Sequence, residues 1–381
     1  MYMFHNFKYE PLEKCIEVDN GVICPNTNYS VSAVYQNEKL IPISLDDNEI
    51  RNKSSQLSTI FELSDEEVVF AGCFDTNWGF LFIDSISRLW YIIKNNCPLK
   101  IAYTLSSESN TLFGQHSSRA LELLSYLGIE RESLIKIEKP TQFKKVIVPC
   151  RSFFHEEFPT YGRKSADAYL QRLKNQLNGH PAFFYTSEYS SIYEKIRTNL
   201  PKCFVSDKEK IYFSRRKLKQ NKEIGEFAIE RVFRKNGFAI YYPELLSVSE
   251  QIGLVSSCKI LASVEGTLAH NIVFAKPGTQ QIILKKQSEF IPRQSMICQA
   301  IGIDPIFVES FYEPFRNIPF SHSAGPFLLV AGIKFKNFCE SQGMVYVNET
   351  AFEFVATFIK YLFRCTYLHL KRTIKDIIKR L

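Results

Sequence analysis

Apolar residues fall along this chain in short blocks whose spacing alternates between two periods. Val68-Val69-Phe70-Ala71-Gly72 is a continuous apolar run of the kind that forms a strand covered on both faces. Phe80 to Ile93 then carries apolar residues at helical spacing, and Leu99 to Thr104 reads as the next strand. A helix is expected over roughly 117–127, with strands near 134–138 and 145–149. The stretch 151–205 contains expected helices near 165–177 and 189–199. A second series follows: strand Ile211 to Phe213, helix Glu223 to Lys235, strand Phe238 to Tyr242 and a helix at about 248–257. Strand Ile260 to Val264 comes next, then Gln281 to Leu284, a helix near 291–301 and strand Pro305 to Val308. Strands alternating with helices at this spacing predict an α/β fold with parallel sheets and helices on both faces.

The length of 381 residues exceeds one typical core, so two consecutive Rossmann-like halves are expected. In such sheets ligands sit beyond the carboxyl ends of the strands, which points to the cleft between the halves. One strand–helix junction stands out. Ile260 to Val264 hands over through Glu265-Gly266-Thr267 to a short helix that Pro277-Gly278 closes. Free backbone N–H groups at a glycine-led helix start suit an anion such as a nucleotide diphosphate.

Composition changes this picture little, with 45% hydrophobic and 23% charged residues, as in ordinary folded proteins. The ten cysteines form no CxxC pair and no Cys/His cluster with metal-ligand spacing. No apolar stretch is long enough to span a bilayer, and the first residues lack the apolar core of a signal peptide. These features favour a reducing cytoplasm. The net charge of +7 is concentrated in residues 360–381, where seven Lys/Arg face one Asp. A nucleic-acid footprint over the body of the protein is therefore not supported. Lys360, Arg364, Lys371, Lys375 and Lys379 fall on one stripe of a helix whose other positions are largely apolar. Such a basic amphipathic helix suits an anionic membrane surface. The expectation is packing on the body near 352–366 and membrane contact through 367–381.

Several motifs occur in a fixed order. Ser214-Arg215-Arg216 ends a strand, and Asn221-Lys-Glu-Ile, Asn236-Gly-Phe, Pro243-Glu244 and Glu250-Gln251 follow. The series closes with Glu265-Gly266-Thr267, His270-Asn271, Phe274 and Pro277-Gly278. This series resembles the glycosyltransferase family 61 domain of bacterial capsule and lipopolysaccharide enzymes and of plant and animal glycosylation. Asn77-Trp-Gly-Phe80…Asp84…Arg88-Leu resembles the family's N-terminal helix start, and Val146-Ile-Val-Pro-Cys150 its following strand. The chain departs from the family pattern at Glu265 and Phe80, where the family has His, and at Ser263, where it has Gly.

The resemblance implies two Rossmann-like domains of GT-B type, an inverting mechanism and no obligatory metal. It assigns 1–204 to an acceptor-side domain, 205–345 to a nucleotide-sugar domain and 346–381 to the amphipathic tail. An inverting transfer needs a base to take the acceptor hydroxyl's proton, and cations or helix N-termini to stabilise the departing diphosphate. Asp84 is the candidate base; a helix-cap role or an i,i+4 pairing with Arg88 is the alternative reading. His155, Glu156 and Glu157 are substitutes, and Arg88 is placed on the acceptor side. Donor binding is assigned to Ser214, Arg215, Arg216, Glu244, Glu265, Gly266, Thr267, His270 and Asn271. Arginine suits a diphosphate because its planar fork makes paired bonds to phosphate oxygens, although Lys217 and Lys219 mark the same segment as simple surface charge. Glu265 is expected to accept from a sugar or ribose hydroxyl, with His270 touching phosphate.

The implied activity moves a sugar from a nucleotide-sugar donor, with UDP-sugars first in line, to a polysaccharide or lipid-linked glycan at the inner face of the membrane. The rival readings are another nucleotide-sugar activity, such as an epimerase or hydrolase, and a non-catalytic scaffold in a polysaccharide assembly complex.

Overall fold

The computed structural model describes residues 6–25, 32–45, 61–75, 77–105, 118–155, 183–219, 222–288, 292–314 and 325–380. The expected helix near 165–177, Glu156, Glu157 and Asn221 lie outside the described residues.

The chain is α/β, as its alternating pattern predicts. In the N-terminal half, strand Glu62–Phe74 runs between Thr141–Pro149 and Lys100–Leu105, parallel to both, with Leu134–Lys136 beyond. Cys15–Asp19 and Val22–Cys24 add to Thr141–Pro149 in the antiparallel sense. Val68, Val69, Phe70 and Ala71 are all buried, so this central strand is covered on both faces as its unbroken apolar run predicts.

The helix expected over Phe80 to Ile93 is broken into three pieces: Trp78–Ile83, the 3₁₀ turn Ser85–Arg88, and Trp90–Asn95. Polar ties to the sheet explain the break. Ser85 Oγ accepts from the Asp75 N–H at 2.9 Å. The Ser87 carbonyl, which an unbroken helix would use for its own ladder, accepts instead from Ser152 N–H and Ser152 Oγ at 3.0 and 2.6 Å. Arg88 reaches the carbonyls of Ile43, Ser44, Leu45 and Pro149. Asn77 caps the first piece by accepting from Gly79 N–H at 3.2 Å.

The second half is built on a five-stranded parallel sheet. Its spatial order is Ala239–Tyr241, Lys210–Phe213, Ile260–Val264, Gln280–Lys285, Pro305–Glu309. The helix expected to begin at Glu223 begins at Glu226. Glu223–Ile224 instead pairs with Phe327–Leu329 as a short strand. Gly225 divides the two, at φ 101°, where a Cβ would run into the Leu329 carbonyl. The helix at 248–257 forms over Val248–Ser257, closed at its start by a Ser247/Glu250 capping box.

Side chains alternate across this sheet. Tyr212, Ala262, Val264, Ile282 and Leu284 pack under helices Glu226–Lys235 and Ile333–Ser341. Ile211, Phe213 and Leu261 face Val248–Ser257 and the turn Asn271–Phe274. That second apolar layer continues without a gap into Leu81, Phe82, Ile83 and Tyr193 of the N-terminal half. The Phe274 ring lies 5.4 Å from Phe82 and 5.8 Å from Tyr193, so one aromatic cluster joins the two sheets. The final helix, Ala351–Arg380, packs Tyr361 and Cys365 on Ile224 and Leu328.

Phe274→Ala removes the ring shared by both halves. The expected loss is about 3–5 kcal/mol of unfolding free energy, read as a lowered denaturant midpoint with the far-UV circular dichroism spectrum retained.

Candidate active site

The order of the parallel sheet marks where a ligand would sit. From Lys210–Phe213 the chain crosses to Ala239–Tyr241 on one side, and from Ile260–Val264 it crosses to Gln280–Lys285 on the other. The two outgoing loops diverge from adjacent strands and open a crevice at their carboxyl ends. Those loops carry Ser214-Arg215-Arg216 and Glu265-Gly266-Thr267.

Three buried glutamates shape the first loop. Ser214 Oγ donates to Glu230 Oε1 at 2.5 Å, and Arg216, half-exposed, pairs with Glu230 Oε2 at 2.6 Å. The Arg215 N–H donates to both oxygens of Glu226 at 3.2 and 3.1 Å, and Tyr212 Oη donates to Glu226 Oε1 at 2.7 Å. Burial, reinforced by the neighbouring Glu223 charge, pushes the Glu226 carboxyl up to about 8 despite these donors. Glu223 takes two cations on one oxygen: Lys286 Nζ at 3.3 Å and Arg215 Nε at 4.0 Å.

Lys286 follows strand Gln280–Lys285, is almost buried, and stands over the Phe327 ring at 4.3 Å. Burial lowers its pKa, and Glu223 and Glu265 act against that shift. Gly266 adopts φ 112°, and Lys286 Nζ lies 3.6 Å from the point where its Cβ would be. The loop that begins helix Thr267–His270 therefore has an ammonium group beside it. Glu244 borders the same corner: burial raises its pKa, and Arg215 counters.

The second set of side chains leaves adjacent strands of the other sheet. Asp84 follows Glu62–Phe74, while Arg151 and His155 follow its parallel neighbour Thr141–Pro149. Arg151 Nη2 donates to Asp84 Oδ1 at 3.2 Å, and His155 Nε2 lies 3.0 Å from the same oxygen. Arg293 Nη2 is 2.9 Å from His155 Nδ1, and its guanidinium stacks on Phe80 at 5.3 Å. A guanidinium only donates, so Nδ1 is the accepting atom and Nε2–H donates to Asp84. Burial alone would raise the Asp84 pKa; His155, Arg151 and Arg293 outweigh it and hold the carboxylate well below its usual range. Burial likewise depresses the His155 pKa, Asp84 opposing and Arg293 adding to the fall, so the ring is neutral.

The two sets meet at Gly79 and Thr267, where a Cβ on Gly79 would stand 2.9 Å from Thr267 Oγ1. His270, one turn beyond Thr267, is buried with Nδ1 on Gln294 Oε1 at 2.6 Å. Burial, followed by the Arg293 charge, pushes it down to about 3, and Asp84 and His155 also act on it. His270 is thus a neutral ring in the same field as the Asp84 group.

Among the residues singled out from sequence, Asp84, Arg215, Glu244, Glu265, Gly266, Thr267 and His270 cluster around this junction. Ser214 and Arg216 hold the loop through Glu230. Asn271 Nδ2 donates to the carbonyls of Thr267 and Leu268, both at 3.2 Å, and secures the helix. Arg88, expected on the acceptor side, is instead 1% exposed and spent on backbone carbonyls. The position where the family pattern has an imidazole holds Phe80, which carries Arg293; the imidazole beside Asp84 comes from His155. Sequence reasoning missed Lys286, Arg293, Arg151, Glu226 and Glu230, and quoted Glu223 only within the Asn221-Lys-Glu-Ile motif. The carboxyl-end rule could have found Lys286, which leaves the strand next to Ile260–Val264.

The sequence model of the family described as Glycosyltransferase 61 matches residues 78–282, more than half of the chain and nearly all of this site. The chain belongs to that family and is a glycosyltransferase. No curated protein matches it.

Glu226 binds a proton on folding at neutral pH, because its folded pKa is raised above the unfolded value. Its contribution to stability is complete at acid pH and fades as pH climbs toward 8. Glu226→Gln, which mimics the protonated acid, should flatten the decline in melting temperature between pH 5 and 8; an unchanged slope would show that Glu226 does not titrate there.

Proposed function

We propose that this member of glycosyltransferase family 61 is an inverting enzyme that transfers a sugar from a nucleoside-diphosphate donor to a hydroxyl of a surface polysaccharide or lipid-linked glycan. The observation that carries the reading is the junction itself. Two almost buried cations, Arg215 and Lys286, flank the glycine-led loop at one end, and an Asp-backed imidazole stands at the other.

In this reading the donor diphosphate lies along Gly266 and Thr267, within reach of Lys286 and Arg215. Charge grows on the leaving diphosphate as the bond to the anomeric carbon breaks, and fixed cations in a water-poor corner stabilise that charge more than the ground state. The metal-independent part of the proposal rests on these two side chains. Glu244 and Glu265 would accept from sugar or ribose hydroxyls. A GT-B arrangement follows, with donor on the 205–345 side and acceptor on the 1–204 side.

The acceptor hydroxyl loses its proton to the Asp84–His155 pair. Asp84 by itself is a weak proton acceptor, since its neighbours hold it ionised. Its part is to fix the Nε2–H tautomer of His155 and to stabilise the imidazolium that forms. Nδ1 is then the accepting atom. Arg293 donates to that lone pair in the present arrangement and must leave it before the proton can move. The anionic donor offers the guanidinium another partner, which ties base release to donor binding. The choice of a uridine nucleotide and of a polysaccharide acceptor rests on the family resemblance, and a thermal-shift panel of nucleotide sugars tests the first.

Two measurements check the roles. Lys286→Met and Arg215→Ala should each weaken nucleoside-diphosphate binding at least ~10-fold by calorimetry, the equivalent of about 1.4 kcal/mol; unchanged affinity in both removes the diphosphate site. His155→Gln and Asp84→Asn should lower kcat by about 10²–10⁴-fold while donor affinity persists. The base must be neutral to act and its pKa is depressed, so wild-type activity should fall only below the ordinary imidazole range near ~6.5 and lose that limb in His155→Gln. A His155→Gln enzyme with full activity and the same acid limb would rule the imidazole out. Donor binding without transfer or donor breakdown across acceptors would favour the scaffold reading.

A further inference from the structure

The last helix, Ala351–Arg380, is 30 residues long and has two apolar faces. One of them is used: Thr357, Tyr361 and Cys365 are buried, the latter two on Ile224 and Leu328. The other carries Phe352, Val355, Ile359 and Phe363, continued by Tyr367, Leu370, Ile374 and Ile378. Every one of these is 46–82% exposed. At 100° per residue this row lies on the side of the helix away from Tyr361 and Cys365. It is therefore not the edge of a buried face. Membrane contact was expected from sequence only beyond 367, with the preceding segment packed; the exposed row starts at Phe352, within that packed segment.

We propose that this row seats the helix in the surface of an anionic bilayer along its whole length, parallel to the membrane plane. Three observations select that occupant. The row advances in steps of three and four with an eleven-residue repeat, Phe352 to Phe363 to Ile374. This spacing nearly matches the natural turn of a straight helix, so the row stays on one side and fits a flat surface. A left-handed pair of helices would need the tighter heptad spacing instead. Lys360, Arg364 and Lys371 run along one flank of the row, and residues 360–381 hold seven Lys/Arg against one Asp. Two copies of such a helix would set like charges together, whereas anionic headgroups complement them. Finally, among the described residues no helix is long and apolar enough to cross a membrane, so the helix would lie on the surface rather than pass through it.

The test uses the full chain in flotation with vesicles of phosphatidylcholine alone or with about one-third phosphatidylserine, and sedimentation without lipid. Binding should favour the anionic vesicles by more than ~10-fold and weaken with added salt. Phe352→Asp with Ile359→Asp, in the packed half, should reduce binding as strongly as Phe363→Asp with Ile374→Asp. These side chains are exposed, so circular dichroism should not change. Equal binding to both vesicle types, or none, overturns the proposal. If only the second pair matters, the contact is limited to the end of the helix and the whole-length claim fails. A wild-type dimer in sedimentation that the second pair dissociates would make a second copy the occupant.

Discussion

The backbone of Gly79 packs on the side chain of Thr267, and this contact is available only because position 79 has no Cβ. It sets the distance between two polar groups that arise from different sheets. On one side helix Trp78–Ile83 ends at Asp84; on the other the Gly266 loop opens onto Lys286 and Arg215. Behind the contact, Phe82, Tyr193 and Phe274 form the apolar layer that holds the halves at that separation. A Cβ at position 79 would press on Thr267 and move the Asp84 group relative to the Gly266 loop, because packed interiors deform little.

Charge is handled differently on the two sides. Around Asp84 the carboxylate stays ionised because His155, Arg151 and Arg293 compensate for its burial. Around Arg215 the acids outnumber the cations inside the fold, and Glu226 is driven toward its neutral form. With Glu226 neutral, Arg215 and Lys286 still face Glu223, Glu244 and Glu265.

Much of this was legible in the sequence. The strand Ile260–Val264 and its loop, the Ser214-Arg215 strand end and helix Val248–Ser257 follow from apolar runs, spacing and glycine, all of them local signals. Asp84 was expected at a helix start and instead ends helix Trp78–Ile83, while His155 was named only as its substitute. What remained hidden is non-local. Arg293 touches His155 from 138 positions away and Lys286 meets Glu223 across 63, so neither pairing leaves a local pattern. The short strand at Glu223 depends on Phe327, and the broken helix after Asp84 depends on Ser152 and on carbonyls near residue 45. Arg88 looked like a site residue because Asn77…Asp84…Arg88 resembles the family's helix start, yet here it satisfies the backbone carbonyls of two loops.

The central claim is that the cationic corner and the Asp84 group form one site. Nuclear magnetic resonance of the histidine side chains during titration with a uridine diphosphate tests it most directly. A diphosphate seated at Gly266 and Lys286 should shift the ring signals of His155 and His270, which lie in the same field as Arg293. The shifts should vanish at the same nucleotide concentration in Lys286→Met. Saturable binding that leaves both rings unchanged would mean that the nucleotide and the acid–base group occupy separate places.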